Sequence, residues 1–283
     1  MYSHIQEHLQ SLETKANSLS AKDVVEELRL LGLGDFVYVM SMMPISQFPI
    51  LSSKLPAMAS DEVCQTWTGN TGLLVMEQAI DFTRSCATTF TSITGSSLDG
   101  KRILDFGCGY GRLLRCFQFF THDVSGVDAW EASLQHCRAA GLGNYVFQSD
   151  EIPEALPAPG KFELLTAFSV FTHLSEESAI ASLESLRKSS NAGSILALTI
   201  RPPEFWQFAV NGSLSSRKEE AAVSASIHAQ DGFAFLPHIG AKHYGDTTLT
   251  VEWLRSAAKD WDVVSVDRSG KDQLQRYVFL MAR

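Results

Sequence analysis

Between Arg102 and Arg112 the chain reads R-I-L-D-F-G-C-G-Y-G-R: an apolar run, an acid, and glycines at 107, 109 and 111 ahead of a helix-compatible stretch. Three glycines in five positions directly after a strand allow a ligand to approach the backbone closely, although they would also serve a plain tight turn. A dinucleotide fingerprint spaces its glycines G-x-G-x-x-G, so that the third admits helix packing while the helix N-terminus faces a pyrophosphate. Here the spacing is G-x-G-x-G and Arg112 follows. Asp105 stands two residues before the first glycine, where it would repel a pyrophosphate and attract an ammonium or sulfonium. The pattern therefore predicts a cationic cofactor; the competing reading of Asp105 is a buried strand-end carboxylate satisfied by loop amides. Asp128 closes a second apolar run, V-S-G-V-D. There a carboxylate can accept charge-assisted hydrogen bonds from two ribose hydroxyls, or it can be the N-terminal charge of the helix that follows.

These residues need a scaffold, and from Lys101 onward the chain alternates between strand and helix patterns, which predicts an α/β fold with a mostly parallel sheet covered on both faces. Strands are expected near 102–106, 123–127, 145–148, 162–167 and 194–200, with helices at 112–120, 131–140 and 176–188 between them. A late helix at 249–259 precedes two closing strands, 261–267 and 274–281. The short link between those two permits a hairpin but no parallel crossover, so one antiparallel edge strand is expected. Upstream, Ile5, Leu9, Leu12, Ala16 and Leu19 recur at helical spacing, and Val24, Val25, Leu28 and Leu31 repeat the pattern until Gly32 and Gly34. That first helix would either pack as a lid or form the seam of a homodimer. Pro44, Pro49 and Pro56 deny the connector 42–59 a continuous helix, and a further helix is expected over 73–90. The chain thus divides into a helical cap, 1–95, that shapes an acceptor pocket, and a cofactor-binding domain, 96–283, whose stretch 201–248 forms a cover. Such a long excursion from a compact sheet is more often functional than idle.

With 283 residues the chain can bury a full core. Its net charge of -9 argues against nucleic acid as a partner, since phosphate neutralisation needs clustered Lys and Arg. The five cysteines form no C-x-x-C pair and are odd in number, so they are expected as reduced thiols in a cytoplasm. Neither a basic head with an apolar stretch nor a membrane-spanning run is seen, and no membrane partner is expected. No H-E-x-x-H or close acidic trio points to a catalytic metal.

The run I-L-D-F-G-C-G-Y-G-R, followed by V-S-G-V-D and F-E-L-L-T-A-F-S-V-F-T-H-L, resembles the class I S-adenosylmethionine-dependent methyltransferases over 101–283. W-T-G-N-T-G upstream and a late Y-G-D resemble bacterial members that act in polysaccharide or small-metabolite pathways. The resemblance implies a Rossmann-like, seven-stranded sheet with an antiparallel seventh strand and S-adenosylmethionine as cofactor. It implies cofactor contacts from Asp105, Phe106, Gly107, Cys108, Gly109, Gly111 and Arg112 at the glycine turn and from Asp128 and Ala129 after the second strand. Asp150, after the third strand, would recognise adenine or be a solvated surface acid. Phe168 would line the methyl-donor pocket or serve the core, and Trp67 to Gly72, with Gly69, would fold over the methionine part or be a helix-entry loop.

Methyl transfer from a sulfonium is an in-line displacement that gains mostly from positioning in a dry site. A hydroxyl acceptor must also lose its proton, and His173, just beyond the fourth strand, is the first candidate base, unless it satisfies a loop carbonyl or caps a helix. His238, His243 and Tyr244 in the cover follow it. An Asn- or Asp-Pro-Pro-aromatic run of the kind that marks nucleic acid amino-methylation is missing after strand four; Arg201-Pro202-Pro203-Glu204-Phe205 follows strand five instead. The expectation is methylation of a small molecule or sugar at a hydroxyl oxygen. The alternatives are nitrogen methylation of a small amine or protein side chain, which a cation–π contact would suit, and a non-catalytic binding module that keeps the cofactor fold.

Overall fold

A computed structural model describes residues 2–283; residue 1 of the expected cap lies outside the described residues. The N-terminal part is helical: α1 (Ser3–Lys15), α2 (Ala21–Leu28), α3 (Leu33–Ser41), α4 (Pro49–Lys54), α5 (Asp61–Thr68) and α6 (Gly72–Thr94). α2 starts at a capping box in which Ser20 and Asp23 each bond the other's backbone N–H. The connector holds only the six-residue α4, entered through Pro49, where a missing N–H costs nothing. Then follow β1 (Ile103–Phe106), α7 (Arg112–Phe117), β2 (Val124–Asp128), α8 (Glu131–Ala139), β3 (Val146–Gln148), β4 (Phe162–Ala167), α9 (Glu176–Lys188) and β5 (Ser190–Ile200). The chain closes with α10 (Glu204–Ala209), α11 (Lys218–Asp231), β6 (Phe233–Pro237), β7 (Gly245–Leu249), α12 (Val251–Ala257), β8 (Trp261–Arg268) and β9 (Arg276–Ala282).

Seven strands form one sheet in the order β3-β2-β1-β4-β5-β9-β8. β1 to β5 are parallel, and β9 runs antiparallel to both neighbours, one place in from the edge strand β8. Neighbouring residues along each strand point to opposite faces, and both faces are buried. Ile103, Leu164, Ile195 and Phe279 join one apolar cluster; Leu104, Leu165, Leu196 and Leu280 join the other. α9 and α12 cover the second face through Leu183, Leu186 and Leu254. The first face is covered by α6, α7 and the N-terminal helices, with Ile5, Leu9, Leu12, Phe36 and Phe82 in the same cluster. The stripe on α1 that could have faced a second copy is thus buried inside the chain. Among the described residues no helix is long and apolar enough to cross a membrane.

The cover is folded, not irregular. α10, α11 and the two-stranded antiparallel β6–β7 sheet enclose a small core of Phe205, Trp206, Leu214, Ala221 and Leu236. Sequence periodicity missed this hairpin because its strands are five residues each and are joined by a His- and Gly-rich loop. Backbone bonds hang it on the turn after β4: Gly245 N–H donates to His173 O (2.9 Å) and Thr247 N–H to Thr172 O (2.9 Å). β9 begins two residues later than expected, because 269–275 forms a turn in which Ser269 Oγ accepts from the N–H groups of Lys271 and Asp272. This β8–β9 tip is clamped to α6. Asp81 Oδ2 accepts from Tyr277 Oη (2.8 Å) and Gly270 N–H (3.0 Å), and Lys271 Nζ pairs with Glu77 (3.0 Å).

Candidate functional site

The C-terminal ends of the parallel strands, with α5, α6, the cover and the β8–β9 tip, enclose a cleft of about 510 Å³. That position and size suit a small-molecule site in an open α/β sheet. Its first wall is the turn between β1 and α7. Gly107, Gly109 and Gly111 all have positive φ (72°, 54° and 79°). At Gly107 a Cβ would also stand 2.3 Å from Val170 Cγ2, so both backbone and space require glycine. Asp105 lies beneath the turn, receiving a hydrogen bond from Thr166 Oγ1 (2.8 Å) in place of the expected loop amides. Burial pushes its carboxyl up to about 7, against the pull of that bond and of the nearby Arg112 guanidinium.

Asp128 ties two loops together: Oδ2 accepts from Gly109 N–H (2.9 Å) and Oδ1 from Trp130 N–H (2.9 Å). Burial raises its pKa while these amides lower it. Each oxygen keeps a lone pair for a further donor. Phe106, Cys108, Arg112, Ala129, Asp150, Phe168 and Trp67 also line the cleft. Gly111 and Gly69 do not line it. Gly69 ends α5 in the left-handed conformation, and Gly111 sits against Leu142 and Cys137. Ser169, the next residue after Phe168, faces the cleft with φ 61°. A non-glycine residue held there stores strain of the kind that gathers at functional sites.

The remaining wall comes from β5, the turn after β4 and the cover. His173, His243 and Tyr244 line the cleft; His238 does not, and stands behind them on Asp246 (Nε2 to Oδ2, 3.2 Å). His173 has both nitrogens engaged. Nδ1–H donates to Gly245 O (2.7 Å), so Nε2 carries the lone pair that receives Arg201 Nη2–H (3.2 Å). Burial first, and Arg201 second, hold its pKa down to about 3. The Arg201 guanidinium also bonds Asp246 (2.7 Å) and Thr172 O (2.9 Å) and lies 4.2 Å above the Phe205 ring. His243 Nδ1 meets Ser175 Oγ at 3.1 Å. Burial raises the Tyr244 phenol. A row of rings runs through the lining: Trp67 to Trp130 at 5.3 Å, Trp130 to Tyr244 at 4.6 Å, and Tyr244 stacked on His173 at 5.1 Å.

Sequence reasoning missed Trp130, Gln78, Arg201, Asp272 and Gln275, all in the lining. Arg201 carried a usable signal, since it directly follows the apolar run of β5, and strand ends of such sheets face ligands. Trp130, two residues past the end of β2, carried the same signal, whereas Gln78, Asp272 and Gln275 reach the cleft through tertiary contacts that no local spacing records.

An acid and glycine turn at the end of β1, an acid closing β2 and a cleft over the strand ends form the arrangement expected of a methyltransferase domain. In agreement, residues 103–193 match the methyltransferase domain family. A ubiquinone biosynthesis O-methyltransferase of Bordetella pertussis is 27% identical over 124 residues, which is 42% of this chain and 52% of the relative. That of Stutzerimonas stutzeri is 31% identical over 123 residues, 41% and 52% respectively. The chain spans about half the length of the curated relatives it matches. A solved S-adenosylmethionine-dependent methyltransferase from Clostridium acetobutylicum shares the fold at 12% identity and a TM-score of 0.51, over 77% of this chain and 95% of that one.

Proposed function

We propose that this chain binds S-adenosylmethionine and methylates a hydroxyl oxygen of a small molecule or sugar. The observation that carries this reading is a single cleft with Asp105 at the glycine turn, Asp128 and Asp150 at the ends of β2 and β3, and the Arg201–His173 pair on the facing wall. The donor set fits the cofactor: Asp128 has oxygens open to two ribose hydroxyls, and Asp105 is a buried acid suited to the cationic methionine part. When bound, S-adenosylmethionine supplies a methyl carbon made electrophilic by its sulfonium. The chain's part is to hold the acceptor oxygen in line and exclude water from the reacting atoms. Arg201 is placed to stabilise negative charge on that oxygen, whose proton passes out to bulk solvent before acceptor and methyl donor close on each other and water is excluded. His173, made a weak base by burial and by Arg201, acts in this reading by holding Arg201 and not as the base. The O-methyltransferase names of the relatives support oxygen as the acceptor atom.

Calorimetry with S-adenosylhomocysteine tests the cofactor half. Asp128→Ala should weaken binding by about 10- to 100-fold, the worth of hydrogen bonds to a charged group. His173→Ala should leave that affinity within about twofold and lower acceptor kcat/KM by about tenfold or more, as expected for a lost positioning contact. A chain that ignores S-adenosylhomocysteine at millimolar concentration would sink the reading.

A further inference from the structure

Where the cleft leaves the cofactor turn, it is bounded by the ends of β4 and β5, by α6 and by the β8–β9 tip. Ile200 pairs with Arg276, so Gln275 falls opposite Arg201 across the β5–β9 ladder. Gln275 is nine-tenths buried, lines the cleft, and its Oε1 has no hydrogen-bond partner. A buried amide oxygen without a donor is costly and needs an explanation. Arg201 does not supply one, since its bonds go to Asp246, Thr172 and His173. On the same wall, Asp272 Oδ1 is held by Leu274 N–H (2.8 Å), and Asp272 and Gln78 both face the cleft. Gln275 Oε1 is itself shielded from solvent, so a turn of its side chain is needed to bring it to a ligand; with that turn this end of the cleft offers an amide and a carboxylate oxygen that call for donors.

The two phenyl rings at this end offer no free shelf for a flat acceptor, and the rings of Trp67, Trp130, Tyr244 and His173 are packed on one another. Phe168 is packed on Phe82 (4.8 Å) and under Arg112 (5.1 Å), and Phe205 lies under Arg201. Arg201 on this wall and Arg112 at the glycine turn disfavour an ammonium group between them. A ligand with several neutral O–H donors answers all of these features together.

We propose that the β8–β9 tip, through Gln275 and Asp272 opposite Arg201, is the recognition site for a polyhydroxylated, carbohydrate-type acceptor. This inference rests on the methyltransferase reading and gives its acceptor a chemical class. The tip then chooses the acceptor, whereas the glycine turn serves the cofactor.

The test uses the full chain with S-adenosylmethionine labelled on its methyl group and three kinds of probe: methyl glycosides of hexoses and 6-deoxyhexoses, nucleotide-linked hexoses, and catechol. Label should pass to sugar hydroxyls and not to catechol, and the first two arms separate a free glycoside from a nucleotide-linked one. Gln275→Leu should raise the sugar KM at least tenfold while the Kd for S-adenosylhomocysteine stays within twofold. Asp272→Asn, on the half-exposed tip, should raise the same KM at least threefold and decides the matter if the Gln275 variant does not fold. Label on catechol alone, no label on any sugar despite S-adenosylhomocysteine binding, or an unchanged KM in a folded variant overturns the inference and leaves the cofactor reading intact. Loss of S-adenosylhomocysteine binding by the unmodified chain overturns both.

Discussion

Asp105 is 2% exposed, and its carboxyl titrates near 7 instead of the usual acid range. Between pH 4 and 7 the folded chain therefore holds a proton that the unfolded chain has already lost. The sign follows: this contribution to stability is full at low pH and is lost as the pH rises through about 7. A cationic ligand above Asp105 favours its ionised form, so binding should release a proton below that pH. We expect the affinity for S-adenosylmethionine to rise by up to about tenfold per pH unit from 5 toward 7 and then to level off. Asp105→Asn should flatten that rise, as calorimetry at three or four pH values will show. Asp105 and Asp128 were legible in the sequence because each ends an apolar run that had to be a strand. Arg201 and Gln275 were not paired there, because their meeting depends on the register of β5 against β9. A carbonyl partner for His173 was among the alternatives read from the sequence, but the Arg201 contact on its other nitrogen was hidden, since that partner follows β5.

At the scale of elements, the glycine turn is the part least able to change. Gly107→Ala would place a Cβ in the left-handed region and against Val170. The backbone penalty alone is about 1–2 kcal/mol. We expect a melting point lower by several degrees, and cofactor affinity reduced further because the strained turn carries the Asp128 contact to Gly109. An unchanged Kd in this variant would mean that the turn does not touch the ligand. The order of strands and helices from β1 to β5 could be read from alternation of apolar runs and breakers. β6 and β7 could not, because each has only one neighbour and little periodicity. Thr247, Thr248 and Asp246, all on β7, are buried by the cover and the turn after β4, so polarity along that strand gave no guide to its burial.

Across the whole molecule, the N-terminal helices share one apolar cluster with the sheet, and the cap supplies a layer of the core as well as a wall of the cleft. Leu9 on α1 is fully buried in that cluster. Leu9→Ala should cost about 2–5 kcal/mol, as large-to-small core changes do, and should lower the melting temperature of the sheet and the helices together in one transition. Separate transitions for the two would show that the cap is energetically independent. The helical stripe of α1 was plain in the sequence, but what it packs against was not, because amphipathic spacing names a face without its partner.

The clamp of Asp81 on Tyr277 and Gly270 ties one jaw of the cleft to the same long helix that carries Gln78 on its flank. α6 is thereby a ruler: it sets the gap between the glycine turn and the β8–β9 tip. Entry of a bulkier acceptor would require the anchor on Asp81 to slacken, while the sheet beneath stays as it is.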